Sequence, residues 1–427
     1  LNAANIYCLY EKQLKVLQET GMLDLMLKIE MPLLQVLYDM ETAGFVINRE
    51  SLIKLQHEFS GVLAGLEERI FELAGESFNI NSPKQISRIL FDKLNLRAGR
   101  KTKTGFSTDS DVLEGLADKH PIVPLIMEYR SYMKLKGTYI DGMLSITETG
   151  NCIHTRFNQT VASTGRISSV EPNLQNIPVR TELGRRIRLA FVPRSEDYML
   201  VDADYSQIEL RVLAHLSGDE QMIAAFLNDE DIHASTAATV FKIPLSEVTP
   251  QQRNFCKAVN FGVVYGISDF GLARNLGIPR KTAHEFIEAY FAQYPSIKAY
   301  LDGLKKFAYE KGYAQTLFGR RRQIPELKSA NRNVRLAGER IAMNMPIQGT
   351  AADIIKMAMI NVNCEIKNNN YKSRLILQVH DELIIDAHRD ELDMMKKMLK
   401  EKMENVVKLS VPIKVELSVG KSWFETK

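Results

Sequence analysis

This sequence contains few cysteines, and they lie far apart from one another. The four residues are Cys8, Cys152, Cys256 and Cys364, and none of them forms a CxxC pair. Closely spaced cysteines are the usual signature of thiolate zinc sites and of disulfide frameworks. The sequence therefore argues against both, and a reducing cytoplasm is the expected location.

Long apolar runs are also missing. None reaches the ~18 residues that a helix needs to cross a bilayer, so no membrane partner is expected. The chain begins with Leu1, and no charged segment followed by an apolar one comes after it. We therefore interpret the start as the edge of a trimmed fragment and not as a signal peptide.

The chain has no large net charge, because 55 Lys and Arg residues face 52 Asp and Glu residues, leaving +3. Binding to a polyanion depends on local clusters of cations, so the total says little. Any single cluster could be only a solvated face, but three of them next to the motifs below favour nucleic acid. The clusters are Lys93, Arg97, Arg100, Lys101 and Lys103; Arg180, Arg185, Arg186 and Arg188; and Arg320, Arg321, Arg322, Lys328, Arg332, Arg335 and Arg340.

The composition is that of a soluble globular protein, with 45% hydrophobic and 25% charged residues among 427. These values exclude collagen-like, purely coiled-coil and disordered chains. At roughly 150 residues per domain, about three domains or lobes are expected.

The first 150 residues have mainly helical patterns. Apolar spacing predicts helices over 1–30, over 52–73 with a stop near Gly75, and over about 124–143. Ser82 and Pro83 predict the start of a helix that continues through Leu90. The small, basic residues of 98–108 predict a loop.

Strand patterns begin near residue 150. Residues 152–160 and 197–207 are predicted strands, 206–311 are mostly helical, and the apolar runs 373–379 and 383–387 predict a hairpin with acids at its turn. This order of elements indicates an α+β fold in which one lobe is inserted in another.

Two groups of carboxylates stand at the ends of these predicted strands. Asp202 and Asp204 project from the same face of one strand, and Asp381 and Glu382 lie at the hairpin turn. Acids among apolar strands are costly unless they are paired or bind metal. If the strand ends meet, the carboxylates could hold divalent ions for displacement at phosphorus. The alternative is that they pair with arginines.

Residues 249–266 predict a helix with a functional stripe. Thr249 is the expected N-cap and Pro250 the first helical residue. Four functional residues follow one another at intervals of four positions, which places them along one slowly winding face of the helix. They are Arg253, Lys257, Phe261 and Tyr265. The cations could clamp a triphosphate and the aromatic rings could stack on a base. Lys257 could also donate a proton to departing pyrophosphate. The alternative is an amphipathic helix with cations over core aromatics.

Together these motifs resemble the polymerase region of the family A DNA polymerases, of the bacterial DNA polymerase I type. The stretches VDADYSQIELRVLAH (201–215) and LQVHDELI (377–384) resemble the two palm motifs of that family, and RNFCKAVNFGVVYG (253–266) resembles its fingers helix. Four further segments also match: TGRISS (164–169), PNLQNIPVR (172–180), DIHASTA (231–237) and MNMPIQGTAADI (343–354).

The resemblance implies a right-hand architecture with an antiparallel palm sheet, helical fingers and a helical thumb. It implies that 1–40 are the last helix of a 3′–5′ exonuclease domain and a connection, and that 41–149 are the thumb. The palm would take 150–207 and 332–427, with the fingers at 208–331. Proofreading by this chain is not expected, because 1–10 contain no acid where proofreading relatives keep an aspartate.

The resemblance also implies a catalytic centre. Asp204 and Asp381 match the two metal-binding aspartates, with Glu382 as a neighbouring carboxylate and the backbone carbonyl of Tyr205 completing one site. Two Mg²⁺ ions, replaceable by Mn²⁺, are the implied cofactors. Lys257, the proton donor suggested by the stripe at 253–265, would belong to this centre. The primer 3′-hydroxyl would attack the α-phosphorus of a deoxynucleoside triphosphate and release pyrophosphate.

Residues for the substrates follow from the same match. Glu209 resembles a steric gate against the ribose 2′-hydroxyl, although Ser206 to Glu209 also fits a capping box. The other implied nucleotide contacts are Arg253, Lys257, His233, Phe261, Tyr265 and Gln207. The implied contacts with primer–template DNA are Arg166, Asn173, Gln175, Arg180, Arg335, Arg340, Asn344, Gln348, His380, Arg100, Lys101 and Lys103. Contacts in the minor groove test base-pair shape without reading sequence.

One residue departs from the pattern, and two other functions stay open. Asp202 stands where a small or apolar residue is expected, either as a spare carboxylate on the metal face or paired elsewhere.

A single-subunit RNA polymerase shares the palm acids and the fingers helix, but Glu209 argues against it. A DNA-binding clamp without catalysis is the non-enzymatic alternative, and the intact carboxylates argue against it. The favoured hypothesis is a monomeric DNA polymerase.

Overall fold

The computed structural model describes residues 3–97, 101–102, 105–147, 150–179 and 181–426. The α-helices, in chain order, are α1 (Ala3–Glu19), α2 (Leu23–Leu25), α3 (Met31–Ala43), α4 (Arg49–Ala74), α5 (Pro83–Ser87), α6 (Ser110–Glu114), α7 (Ile122–Leu135), α8 (Gly142–Ile146), α9 (Glu182–Ile187), α10 (Ile208–Ser217), α11 (Glu220–Leu227), α12 (Ile232–Phe241), α13 (Pro250–Val264), α14 (Asp269–Leu276), α15 (Arg280–Gln293), α16 (Pro295–Lys311), α17 (Arg332–Asn368) and α18 (Leu392–Glu404).

Short strands alternate with these helices, which makes the chain an α+β protein as the sequence predicts. The strands are β1 (Phe45–Ile47), β2 (Lys101–Thr102), β3 (Gly105–Phe106), β4 (Cys152–Ile153), β5 (Arg156–Asn158), β6 (Ser168–Val170), β7 (Phe191–Val192), β8 (Tyr198–Tyr205), β9 (Tyr313–Gln315), β10 (Arg321–Gln323), β11 (Arg374–Val379), β12 (Glu382–His388) and β13 (Val415–Gly420). π-Helical segments follow α2, α5 and α7 at Met26–Glu30, Arg88–Lys93 and Lys136–Asp141.

Several helix boundaries confirm the signals in the sequence. Helix α4 ends at Ala74, and its C-cap is Gly75, whose φ of +69° suits a residue without Cβ. The Ser82 side chain accepts a hydrogen bond from the Gln85 backbone at the start of α5. Thr249 and Gln252 form a capping box at the start of α13, with Pro250 at its first turn.

Among the strands and loops, two predictions of local structure are wrong. Within the predicted loop 98–108, the short strands β2 and β3 pair antiparallel. The predicted strand 152–160 is broken after Ile153, because β4 pairs with β1 while β5 pairs with β6. In β5, the Phe157 amide donates to Glu41 Oε1 at 2.7 Å, and this bond helps to hold β5 in its pairing with β6.

The chain divides into two compact units, and the first contains both predicted palm motifs and the fingers helix. This unit comprises Leu1–Ala43, Thr155–Glu171 and Ser195–Val419. Its main sheet has the strand order β11-β12-β8-β13. The long helix α17 packs against α3, α10, α16 and α18 and supports that sheet. The central strands are buried because apolar residues flank their acids, as the sequence pattern predicts.

The second unit comprises Gly44–His154, Pro172–Arg194 and Gly420–Lys427. Helices α4 and α7 pack through a core that includes Leu66, Ile70 and Ile126. The same unit contains a three-stranded sheet of order β4-β1-β7. The boundaries of thumb, palm and fingers within the chain stay predictions. None of the described helices is both long enough and apolar enough to cross a membrane.

Trp423 closes the sheet of the second unit. Its ring is fully buried and contacts Phe45 and Phe191 at centroid distances of 6.0 and 5.3 Å. The Arg188 guanidinium lies 3.8 Å from its centroid, and the Trp423 amide donates to the Phe191 carbonyl at 2.9 Å. The last residues of the chain are thereby joined to a sheet formed much earlier in the sequence.

Removing this ring should destabilise the second unit. Trp423→Ala is expected to lower the free energy of unfolding by about 3–5 kcal/mol, because it leaves a cavity among aromatic neighbours. Phe424→Ala, which removes the half-exposed neighbour, is the control and should cost about 1–2 kcal/mol. Denaturant unfolding followed by circular dichroism measures both, and equal losses would contradict the proposed role of Trp423.

Candidate active site

The two carboxylate-bearing segments meet in the main sheet of the first unit. Strands β8 and β12 are antiparallel, and Asp204 lies opposite Glu382. The Tyr205 amide donates to the carbonyl of Asp381 at 3.1 Å. The sheet register therefore brings together acids that are 177 positions apart (381 − 204), as the sequence hypothesis requires.

Several negatively charged side chains lie close enough at this end of the sheet to affect each other's ionisation. Burial raises the pKa of the Asp381 carboxyl to about 6; the charges of Glu209, Asp204 and Glu382 add to this, and Arg166 opposes it. Like charges so close together disfavour ionisation unless a cation compensates them. In the described part of the chain, no three His, Cys, Asp or Glu side chains form a metal cluster. The ligand set implied by the family resemblance, two aspartates and one backbone carbonyl, needs no third side chain.

Asp202 lies deeper in the same strand. It is 2% exposed and stands opposite Ile384. It differs in exposure from Asp204, which lies at the end of the strand and is only half-buried. Its role stays open.

Glu209 is held by two donors. The Arg166 guanidinium donates to its Oε1 at 2.6 Å, and the Tyr265 hydroxyl donates to its Oε2 at 2.9 Å. The carboxylate is buried, so these bonds replace lost water. Burial, together with the negative charge of Glu209, raises the pKa of Tyr265 to about 12, so that its hydroxyl stays a donor.

The predicted capping box from Ser206 to Glu209 is wrong. Gln207 is the N-cap of α10 and has a left-handed backbone, with a φ of +53°. The Gln207 side chain makes no capping bond, and the amide of the preceding Ser206 donates to the Lys414 carbonyl at 2.9 Å. The Glu209 carboxylate is instead bound by Arg166 and Tyr265, so its place is set by tertiary contacts and not by its own helix.

The stripe on α13 is present, with its cations at the N-terminal end. Arg253 forms an ion pair with Asp231 at 2.5 Å, and Lys257 is exposed. Phe261 is half-buried and packs against the His233 ring with the centroids 5.7 Å apart. Tyr265 is the C-cap residue of the helix. Asp231 also accepts hydrogen bonds from the His233 and Ala234 amides at the start of α12, so it connects the two helices.

His233 is buried and neutral. Its Nδ1 accepts a hydrogen bond from the Asn260 side-chain amide at 2.8 Å, which leaves the proton on Nε2. Burial lowers its pKa to about 4, with help from Arg253 and Lys257 and against Asp231. Its predicted contact with a triphosphate is therefore that of a neutral donor and not of a cation.

Helix α17 presents three of the predicted DNA contacts at steps of four. The Asn344 amide donates to the Tyr265 carbonyl at 3.5 Å, Gln348 bonds to the Tyr265 hydroxyl, and Arg340 is exposed. His380 is exposed at the β11–β12 turn with a φ of +52°. Arg335 donates to the backbone carbonyls of Ser329 and Ala330, each at 2.9 Å.

The other predicted DNA contacts belong to the second unit or fall outside the described residues. Asn173 and Gln175 belong to the second unit, where Asn173 precedes a 3₁₀ turn over Leu174–Asn176. Arg100, Lys103 and Arg180 lie outside the described residues, and for Lys101 only the backbone of β2 is described. Their roles stay predictions.

Sequence reasoning missed two partners of the site. Asp231 carries an N-cap signal just before α12, and this signal could have identified it as the residue that orients His233 and Arg253. Asn260 lies next to the stripe residue Phe261, and no spacing rule predicts its bond to His233.

Comparisons with known proteins identify the family of the chain. The model of the DNA polymerase family A matches residues 49–425. The DNA polymerase I of Caldicellulosiruptor bescii is 55% identical over 400 residues, which are 93% of this chain and 47% of that protein. The DNA polymerase I of Bacillus subtilis (strain 168) is 51% identical over 426 residues, covering 100% of this chain and 48% of that protein.

A solved structure is also similar. It is the POL domain of Pol1 from M. smegmatis in complex with DNA primer-template and dNTP, with a TM-score of 0.92 and 44% sequence identity. The match covers 97% of this chain and 73% of that one. The chain spans about half the length of the curated relatives it matches. With a family model that matches most of its length, the chain belongs to the DNA polymerase family A.

Proposed function

We propose that this chain is a template-directed DNA polymerase that adds deoxynucleotides to a primer 3′-hydroxyl and releases pyrophosphate. The observation that carries the proposal is the meeting of Asp204 and Asp381 at one strand end. Family membership supports it, and so does a similar domain that binds primer–template and dNTP. The chain would act as a monomer in the cytoplasm, with its thumb in 41–149, fingers in 208–331 and palm in 150–207 and 332–427.

The donor set at the strand end fits a divalent ion. Asp204 and Asp381 offer oxygen ligands, the type that Mg²⁺ prefers, and their mutual repulsion favours a bound cation. We assign two Mg²⁺ ions, replaceable by Mn²⁺, to Asp204, Asp381 and the Tyr205 carbonyl, with Glu382 beside them. A bound ion of this kind stabilises negative charge on phosphate oxygens and lowers the pKa of a nearby hydroxyl.

The chain's own side chains would orient the triphosphate and its base. Arg253 and Lys257 stand at the N-terminal half of α13, where they can bind the phosphates. Lys257 is exposed and can hold the proton that neutralises leaving pyrophosphate. Phe261 and Tyr265, two turns further on, would line the base pocket. Gln207, the N-cap residue of α10, would lie beside the nucleotide.

Glu209 would exclude ribonucleotides. Its buried carboxylate is fixed on both oxygens by Arg166 and Tyr265, so it cannot swing aside to admit a 2′-hydroxyl. Arg340, Asn344, Gln348 and His380 would then grip the minor-groove side of the primer–template, where all base pairs present shared acceptors.

Loss of either metal-binding carboxylate should abolish extension. Asp204→Asn and Asp381→Asn are each expected to stop primer extension, while the affinity for primer–template stays within about tenfold, because phosphate contacts elsewhere dominate binding. The measurement is extension of a primed DNA template with four deoxynucleotides, with and without chelator. Asp197→Asn, at an exposed position just before β8, is the control. Normal extension by either active-site variant would refute the metal assignment.

Removing the gate should relax sugar selection. Glu209→Ala is expected to raise the ratio of ribonucleotide to deoxynucleotide incorporation by about tenfold or more, because it frees the volume beside the sugar. Single-nucleotide incorporation kinetics with matched nucleotides measure the ratio. Glu220→Ala, at an exposed first-turn position of α11, should leave it unchanged. An unchanged ratio in Glu209→Ala would defeat the gate role.

His233 should make stability depend on pH. Its pKa is about 4 when folded and near 6.5 when unfolded, so the unfolded chain binds the proton more readily. The stability that neutral His233 provides is therefore complete above about pH 6.5 and is lost as the pH falls toward 4. Denaturant unfolding at several pH values, compared with His233→Gln, isolates this contribution. Identical pH profiles for the two proteins would show that His233 is not the group responsible.

A further inference from the structure

A buried network of four charged side chains stands against helix α17. Lys356 and Asp353 of that helix are fully buried, and Arg320 and Glu30 are mostly so. Lys356 donates to Glu30 Oε1 at 2.8 Å, and Arg320 donates through Nε to Asp353 Oδ1 at 2.8 Å. Arg320 also pairs with Glu30. Two cations and two carboxylates thus compensate each other, the condition under which buried charges are tolerated.

Glu30 is the member of the network that comes from far away in sequence. It lies in the π-helical segment Met26–Glu30, before the residues 49–425 that match the family model. Its Oε2 accepts a further hydrogen bond from Gln159 at 2.7 Å. Burial raises the pKa of its carboxyl, but Lys356 and Arg320 outweigh this and hold the pKa below its ordinary value, so Glu30 is ionised at neutral pH.

The network touches the loop that carries Arg166. Gly165 has a φ of +82°, and a Cβ built on it would lie 2.5 Å from Arg320 Nε. The Arg320 guanidinium therefore lies directly against the backbone of this loop. On the other side, a Cβ on Gly349 would lie 3.1 Å from the Thr164 carbonyl oxygen, so helix α17 also approaches the loop closely. The loop is clamped between a guanidinium and a helix.

The residue after Gly165 reaches the gate. Arg166 donates to Glu209 Oε1 at 2.6 Å, and Glu209 in turn accepts from Tyr265. A continuous series of contacts therefore joins Glu30 to Arg320, Arg320 to Gly165, and Arg166 to Glu209. We propose that Glu30 and Arg320 are positioning residues: their ion pair fixes the loop 162–166 and so holds Arg166 and the Glu209 carboxylate in place for sugar selection. The proposal rests on the proposed polymerase function.

Replacing Glu30 by Gln tests this with little change of shape. The variant removes one of the two carboxylates that hold Arg320 and leaves Lys356 without its anionic hydrogen-bond partner. Arg320 should then shift toward Asp353, and the loop against it should loosen. The Arg166–Glu209 contact should become less well fixed, although neither of its members has been changed.

Asp39→Asn is a matched control. Asp39 belongs to α3, close to Glu30 in sequence, and it also binds helix α17, accepting from Asn363 at 2.8 Å and from Lys367 at 2.6 Å. Both variants therefore remove one carboxylate that joins the N-terminal segment to α17. Only Glu30 is in the series of contacts that leads to Arg166.

The first measurement is sugar discrimination, the ratio of kcat/KM for a deoxynucleotide to that for the matching ribonucleotide. Glu30→Gln is expected to lower this ratio by about fivefold or more, and Asp39→Asn to leave it within about twofold of the starting chain. Arg320→Lys keeps the charge but loses the planar group that lies on Gly165, so it should act in the same direction as Glu30→Gln. It also serves as the second variant if Glu30→Gln fails to fold.

The second measurement does not depend on catalysis. Hydrogen exchange of the peptide that contains 162–170 should speed up in Glu30→Gln and not in Asp39→Asn. If the unaltered chain does not extend primers, the proposed function fails, while exchange still decides whether Glu30 holds the loop. Unchanged exchange in folded Glu30→Gln and Arg320→Lys would overturn the proposal. So would equal losses of kcat/KM for both nucleotides, because these would indicate a general structural role.

Discussion

The antiparallel pairing of β8 with β12 is the constraint on which the candidate active site depends. Its register places Asp204 opposite Glu382 and brings the Tyr205 amide to the Asp381 carbonyl. A slip of one residue would turn every side chain of one strand to the other face, burying Asp204 where Ala203 now lies. The apolar residues that flank the acids oppose such a slip, because they would lose their place in the core. Hydrophobic burial therefore sets the position of the carboxylates.

The buried carboxylate of Glu209 fixes the positions of the segments around the sheet, as the strand pairing fixes the acids within it. A buried carboxylate must be bound by donors, and the two that bind it come from different places: Arg166 from a loop and Tyr265 from the end of α13. A single side chain thereby links α10, the loop of Arg166 and α13. The structural role of Glu209 and its proposed role in sugar selection share one cause, because an immobile carboxylate organises its neighbours and would also occupy the volume beside the sugar.

Much of this could be predicted from the sequence because the signals are local. The N-cap at Thr249, the stop at Gly75, and the apolar runs around the two acid pairs all follow from neighbouring residues, and the structure has them in place. The predicted capping box at Ser206 failed because the left-handed Gln207 starts the helix one residue later. The strand predicted at 152–160 failed because its two halves pair with different partners, which a pattern of alternation cannot reveal.

The sequence by itself determined the residue types of the site, the order of its motifs and the helical or extended state of the segments that carry them, since these depend on spacing and on capping chemistry. Only the tertiary structure decided that His233 is neutral, that Asp231 holds Arg253, and that Glu30 stands behind the loop of Arg166. The physical reason is that charge state and orientation depend on burial and on partners distant in sequence. The network around Arg320 shows this clearly, because Lys356 donates a hydrogen bond to Glu30 although the two residues are 326 positions apart in the sequence.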